Sequence, residues 1–115
     1  MVAYVLDAAR ALDPTELVVV IGHGGELVRE ALGDGPAYAV QEQRLGTGHA
    51  VQQAAAAAGQ AGTVLVLYGD TPLIRPQTLR RLVEQHQTAA AAVTVLTFRP
   101  ESPAGYGRIV REAGT

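Results

Sequence analysis

The stretch VLVLYGDTPLI, residues 64–74, runs from an apolar strand pattern into Tyr68, Gly69 and Asp70. In an open α/β sheet, ligands gather outside the carboxyl ends of the strands, so Asp70 falls on the ligand-facing rim. Gly69 lets backbone come close to a ligand, and a hard carboxylate oxygen beside it suits Mg²⁺ shared with phosphate groups. A second reading carries equal weight. An aspartate ahead of Thr71-Pro72 is ordinary turn chemistry and needs no ligand at all.

A second constellation is QEQRLGTGHA, residues 41–50, where a strand ends in polar residues and a Gly-Thr-Gly turn opens a helix. The free backbone N–H groups and positive dipole end of such a helix attract phosphate or carbonyl oxygens. Gln41 offers donors and an acceptor in one plane, the format needed to read the edge of a nucleobase. Capping by Thr47 or the glycines explains the same pattern and is favoured on the motif alone. The run has neither the Gly-Lys-Ser/Thr ending of a Walker A loop nor GxGxxG spacing. In GYGRI, residues 105–109, the glycines around Tyr106 permit backbone contact with a bulky group and Arg108 is suited to an anion. A tight turn with a surface arginine accounts for it equally well.

Other chemistries find little support. His23 and His49 are far apart with no acid spaced to complete a metal site, so each reads as a hydrogen-bonded loop or helix histidine. His86 lies on an apolar helical stripe and reads as structural. Ser102 is the only serine and has no GxSxG around it. With no cysteine, disulfides, thiolate metal sites and a cysteine nucleophile are excluded. All 9 bases are arginine, so no lysine-dependent step is available to these residues. The net charge of −2 comes without clusters of like sign, which points away from nucleic acid and anionic membranes and toward small-molecule or protein partners. The apolar runs are far shorter than the ~20 residues of a membrane helix, and no signal pattern opens the chain, so a cytoplasmic setting is expected.

The elements that must position these residues follow from periodicity. Val2, Val5, Leu6, Ala9 and Leu12 have helical spacing ahead of Pro14. Residues 17–21 form an apolar strand ended by Gly22, and after GHGG a helix carries Leu27, Val28, Ala31 and Leu32 as far as Gly33. Residues 37–40 make a short strand, 46–48 a loop, and 49–58 an alanine-rich helix closed by Gly59. Its five successive alanines combine high helix propensity with a small profile, which suits close packing on a sheet. Residues 63–68 predict a long strand, and Pro76 starts a helix with Leu79, Leu82, Val83 and His86 inward. Residues 92–97 predict another strand, and 108–111 a hairpin strand after a glycine-rich loop. Continuous apolar strands alternating with helices predict a doubly wound α/β domain with a mostly parallel sheet. Such a domain normally opens on the strand whose following turn holds the phosphate-binding glycines. That strand is not found here, so residues 1–115 read as a partial domain cut at both ends.

In order, GHGGE, QEQRLGTGHAVQQA, LYGDTPLI and PAGYGRIVRE resemble the uridyltransferase domain of the bifunctional bacterial UDP-N-acetylglucosamine pyrophosphorylases, over nearly the whole chain. The combination of LGTGHA, YGD-P-LI and GYGRI is specific to that branch of the sugar nucleotidyltransferases. The resemblance implies that Gln41, Gly46 and Thr47 meet the uridine part of UTP. It implies that Tyr68, Gly69 and Asp70 bind substrate, with Asp70 also on Mg²⁺, and that Gly107 contacts the sugar of N-acetylglucosamine-1-phosphate. The family's glycine-rich loop, with its arginine and lysine, would precede Met1, so no catalytic residue is expected within these 115. The remaining sugar-site residues, the second Mg²⁺ ligand and the acetyltransferase domain that makes the family homotrimeric would follow Thr115. Two functions stand: part of a uridyltransferase forming UDP-N-acetylglucosamine and pyrophosphate, or a non-catalytic nucleotide- or partner-binding module derived from one.

Overall fold

A computed structural model describes residues 1–59 and 62–114. Helix α1 (Val2–Arg10) buries Val5, Leu6, Ala8 and Ala9 and leaves its charged residues outside. Past Arg10 it tapers through tight turns, the Leu12 and Asp13 N–H groups donating to the Ala9 and Arg10 carbonyls, and the chain leaves the helical path at Asp13, whose φ is 53°, just before Pro14. Strand β1 (Val18–Gly22) follows, with Val19 and Ile21 buried and Val18 and Val20 half-buried on the opposite face. Cover on both faces is the reason this run is apolar throughout.

The turn after β1 depends on glycine for space. A Cβ at Gly25 would sit 2.7 Å from that of Ile21, so the chain can fold back onto the strand only without one. Helix α2 (Glu26–Leu32) then sets Val28 and Leu32 against a core of Leu6, Val19 and Ile21, and Tyr38 joins the same cluster. The Tyr38 hydroxyl donates to the Gly33 carbonyl at the helix end, and the Arg29 guanidinium lies over its ring, 4.8 Å from the centroid.

Strand β2 (Ala37–Gln41) pairs parallel to β1, with Val18 opposite Ala37 and Gly22 opposite Gln41. The two strands thus end level, and their outgoing loops emerge side by side. Helix α3 (Thr47–Ala58) packs on both strands. Its half-buried residues are His49, Ala50, Gln53, Ala54, Ala57 and Ala58, a single face at helical period, as expected for an alanine-rich helix lying close on a sheet. Helix α4 (Pro76–Thr88) begins with proline at its first position, and Arg75 before it is extended. Leu79 is completely buried, with Leu82, Val83 and His86 half-buried on the same stripe. The helix lies along α1, to which the Arg80 guanidinium donates at the Ala11 carbonyl, 2.8 Å away.

The α/β class holds, built on a parallel βαβ unit. Three expected strands do not form: among the described residues the only paired sheet is β1 with β2. Residues 64–68 keep a strand's period of two, with Leu65 and Leu67 half-buried and Val64, Val66 and Tyr68 exposed, but no neighbour supplies a ladder. Residues 92–97 lie unpaired too, leaving Val93 and Val95 exposed. At 108–111 the hairpin is absent, with Ile109 and Val110 exposed and Arg108 turned back into its own loop. Apolar β-branched composition favours extension, but a strand also requires a partner's N–H and C=O groups. The accessible surface shows the consequence: 9158 Å², against about 6,000 Å² for a compact monomer of this mass.

Candidate nucleotide site

Gln41 closes β2 at the carboxyl end of the parallel pair, beside the GHGG turn that leaves β1. Its Nε2 donates to the Gly46 carbonyl at 3.1 Å and lies 2.9 Å from Nδ1 of His49. The residue therefore straps the intervening loop to the first turn of α3. Gly46 makes that loop possible with φ 104° and ψ 176°, a conformation that side-chain-bearing residues avoid. Its carbonyl also accepts the first bond of the helix, from the Ala50 N–H at 3.2 Å.

Capping by Thr47 is not what starts α3. The N-cap is Gly46 and no side chain caps the helix, so the first-turn N–H groups lack a side-chain acceptor. Thr47 is exposed at the first helical position, and among the described residues its hydroxyl has no hydrogen-bond partner. The Arg44 guanidinium stands over Gly22, about where the two strand ends meet: a Cβ added there would lie 4.0 Å from its Nη2. A helix N-terminus with open donors, a nearby arginine and a fixed amide together suit a ligand with anionic oxygens and a planar polar edge.

Tyr68, Gly69 and Asp70 occupy a second place in the fold. The turn is closed by Thr71, whose hydroxyl and N–H both donate to the Tyr68 carbonyl, at 2.9 and 3.4 Å. It rests on the first turn of α1, close enough that a Cβ on Gly69 would come 3.4 Å from Val2. Asp70 thus lies inside a turn rather than at its first position, and its carboxylate takes no part in closing it: it is exposed, with no ion pair or hydrogen bond among the described residues. No hydrogen bond or ion pair among the described residues joins this turn to the Gln41 loop.

Gly107 lies in a third loop, held by Arg108, whose Nη1 donates to the carbonyls of Pro103 and Tyr106 at 2.7 and 2.8 Å. Tyr106 packs edge-on to Phe98 with centroids 5.0 Å apart. Arg108 is thereby a loop brace, and the space where a Gly107 side chain would stand is open.

Two of the three histidines match the expectation; His23, expected to be hydrogen-bonded, is exposed in the turn after β1 and has no side-chain hydrogen bond among the described residues. His86 Nδ1 is 2.9 Å from the Thr94 hydroxyl and ties α4 to the segment after it. His49 is hydrogen-bonded, and one of its two partners is Gln41 itself, a pairing across strand, loop and helix that no local motif signals. Among the described residues no group of three or more His, Cys, Asp or Glu is placed to hold a metal, and no helix is long and apolar enough to cross a membrane. Two shallow surface concavities among the described residues flank α4 and the end of α1, and neither is lined by a residue expected to bind substrate.

A parallel βαβ unit with its polar loops gathered at the carboxyl ends of the strands is the ground plan of a nucleotide-binding domain, and residues 1–113 match the family model of the MobA-like NTP transferase domain. The chain belongs to that nucleotidyltransferase family. Among curated proteins, the Bifunctional protein GlmU of Enterococcus faecalis (strain ATCC 700802 / V583) is 47% identical over 113 residues, covering 97% of this chain and 25% of that protein. The proteins of the same name from Bacillus cereus (strain AH187) and Bacillus thuringiensis (strain Al Hakam) are each 52% identical over 112 residues, 96% of this chain and 24% of theirs. The chain spans about a quarter of the length of these relatives. The resemblance carried by LGTGHA, YGD and GYGRI is borne out at this level.

Proposed function

We propose that this chain is the nucleotide-binding part of a sugar-1-phosphate uridyltransferase that makes UDP-N-acetylglucosamine. The observation that carries the reading is the Gln41 amide, fixed at the carboxyl end of the sheet beside an uncapped helix start. Its Nε2 is spent on Gly46 and His49, which leaves Oε1 as the acceptor offered to a base N–H. Thr47 and the backbone of Gly46 complete the uridine contact, Tyr68 and Gly69 line the substrate, and Gly107 gives the sugar room.

In the proposed reaction a phosphate oxygen of N-acetylglucosamine-1-phosphate attacks the α-phosphorus of UTP. The bond from that phosphorus to the bridging oxygen breaks, and pyrophosphate leaves with the electron pair. Such transfers depend on positioning and charge neutralisation more than on covalent chemistry. Mg²⁺ fits Asp70, because this cation is commonly held by one or two carboxylates together with substrate phosphates, and the carboxylate here is exposed and unpaired among the described residues. Bound there, the ion would neutralise phosphate charge. Arg44 supplies a cation on the nucleotide side. With no lysine in the sequence, further cations for the triphosphate would come from a glycine-rich loop outside residues 1–115. The whole protein is proposed to be a cytoplasmic homotrimer assembled through a separate acetyltransferase domain.

The test is pyrophosphate release by the whole gene product from UTP and N-acetylglucosamine-1-phosphate across a Mg²⁺ titration, with Asp70→Asn alongside. Loss of most turnover in the variant supports the assignment. A variant with unchanged rate and Mg²⁺ dependence would remove Asp70 from the metal site.

A further inference from the structure

His49 and Gln53 are one turn apart on the inward face of α3, and each ring nitrogen of His49 has a glutamine amide next to it. Neutral imidazole has one donor nitrogen and one acceptor nitrogen, so these contacts determine which is which. Gln41 Nε2 faces the Gly46 carbonyl, which can only accept, and is therefore the NH₂ end of its amide. The same NH₂ reaches Nδ1 of His49 at 2.9 Å, which makes Nδ1 the acceptor and puts the ring proton on Nε2. The Gln53 amide Nε2, itself a donor, lies 3.2 Å from that protonated Nε2. A half-turn of that amide presents its oxygen to the proton and satisfies both groups.

From this relay we infer that His49 is a positioning residue that fixes which face of the Gln41 amide is offered to the nucleobase, with Gln53 holding the tautomer. The inference rests on the reading of Gln41 as the base-contacting residue. Two acceptors, Gly46 O and His49 Nδ1, occupy both hydrogens of the Gln41 NH₂ and leave only Oε1 outward. That arrangement favours a base carrying an N–H at the contacted position, as uracil does at N3, over cytosine, whose N3 has no proton. Without the imidazole, one hydrogen of the NH₂ is released. The amide is then free to present a donor as well as an acceptor, and discrimination between the two bases falls.

The inference is tested on the whole gene product with Gln41→Ala, His49→Phe and His49→Asn, measuring KM for UTP and for N-acetylglucosamine-1-phosphate and the preference for UTP over CTP. Phenylalanine keeps the ring shape without the acceptor, whereas the asparagine Oδ1 can stand in for Nδ1. Expected results are a KM for UTP raised about three- to tenfold in His49→Phe, the size of one lost hydrogen bond, with the sugar phosphate unaffected. The UTP preference should fall with it, and His49→Asn should recover both. If Gln41→Ala weakens UTP and His49→Phe does not, the positioning role is overturned while the reading of Gln41 stands. If Gln41→Ala leaves UTP binding unchanged, that reading fails and the inference with it. Equal weakening of both substrates by both His49 variants would show a packing role and overturn the inference. Imidazole ¹⁵N NMR of the unmutated protein gives a readout independent of any variant: the Nε2–H tautomer at His49 supports the relay and the Nδ1–H tautomer refutes it.

Discussion

Replacing Gly46 by alanine should damage this protein far more than replacing Gly48, two residues along the same motif. Gly46 has φ 104° and ψ 176°, whereas Gly48 has no positive φ and a Cβ there would meet nothing within 4 Å. Holding a side-chain-bearing residue in the former region costs about 1–3 kcal/mol. Alanine for glycine within a helix contributes about 0.5–1 kcal/mol in the opposite direction, so the two variants should differ by about 1.5–4 kcal/mol. The strain cannot be relieved cheaply, because the Gly46 carbonyl accepts from both Gln41 Nε2 and the Ala50 N–H. Rotating the peptide would free the amide that is proposed to read the base. Urea unfolding followed by circular dichroism, with UTP titration calorimetry in parallel, measures both effects on the whole gene product. Gly46→Ala should lower the unfolding midpoint and weaken UTP, and Gly48→Ala should leave the midpoint unchanged or raise it. Equal midpoints for the two variants would refute the backbone argument.

Leu79→Ala, at the only completely buried large side chain among the described residues, should cost about 2–5 kcal/mol in the same unfolding assay; a loss below 1 kcal/mol would mean that α4 is not anchored there. Gln41→Ala and Thr47→Val should each weaken UTP by about tenfold or more, from ~1–3 kcal/mol for a lost polar partner, and spare the sugar phosphate; parallel losses for both substrates would indicate misfolding. The 115-residue chain expressed alone should bind an apolar fluorescent dye and self-associate, because Val64, Val66, Val93, Val95 and Phe98 are exposed on segments without ladder partners. A monomer in gel filtration with no dye binding would contradict that expectation.

Elements whose signal is local were legible in the sequence. The helical stripe at Leu79, Leu82, Val83 and His86 appears as the inward face of α4, and Pro76 starts it. The runs that became β1 and β2 lie within a residue or so of their expected bounds, because glycine or polar residues punctuate both. Residues 64–68 and 92–97 have composition as favourable as β1, yet remain unpaired, since strand pairing depends on a neighbour and is invisible in the strand's own residues. The site divides similarly. Gln41 and Asp70 were marked by their positions after apolar runs, and the glycine pattern gave the loop before α3. The link from Gln41 to His49 could not be read, because it depends on how the loop folds back to bring α3 against the end of β2.

The proposed uridine-specific nucleotidyl transfer is measured most directly as product formation by the whole gene product. Each of the four ribonucleoside triphosphates would be offered in turn with N-acetylglucosamine-1-phosphate, glucose-1-phosphate or galactose-1-phosphate, and products identified by mass spectrometry. UDP-N-acetylglucosamine and pyrophosphate should be the dominant products, formed only with Mg²⁺ present and lost in Asp70→Asn. Equal use of CTP or ATP, or nucleotide transfer to a different sugar phosphate in preference, would contradict the proposal.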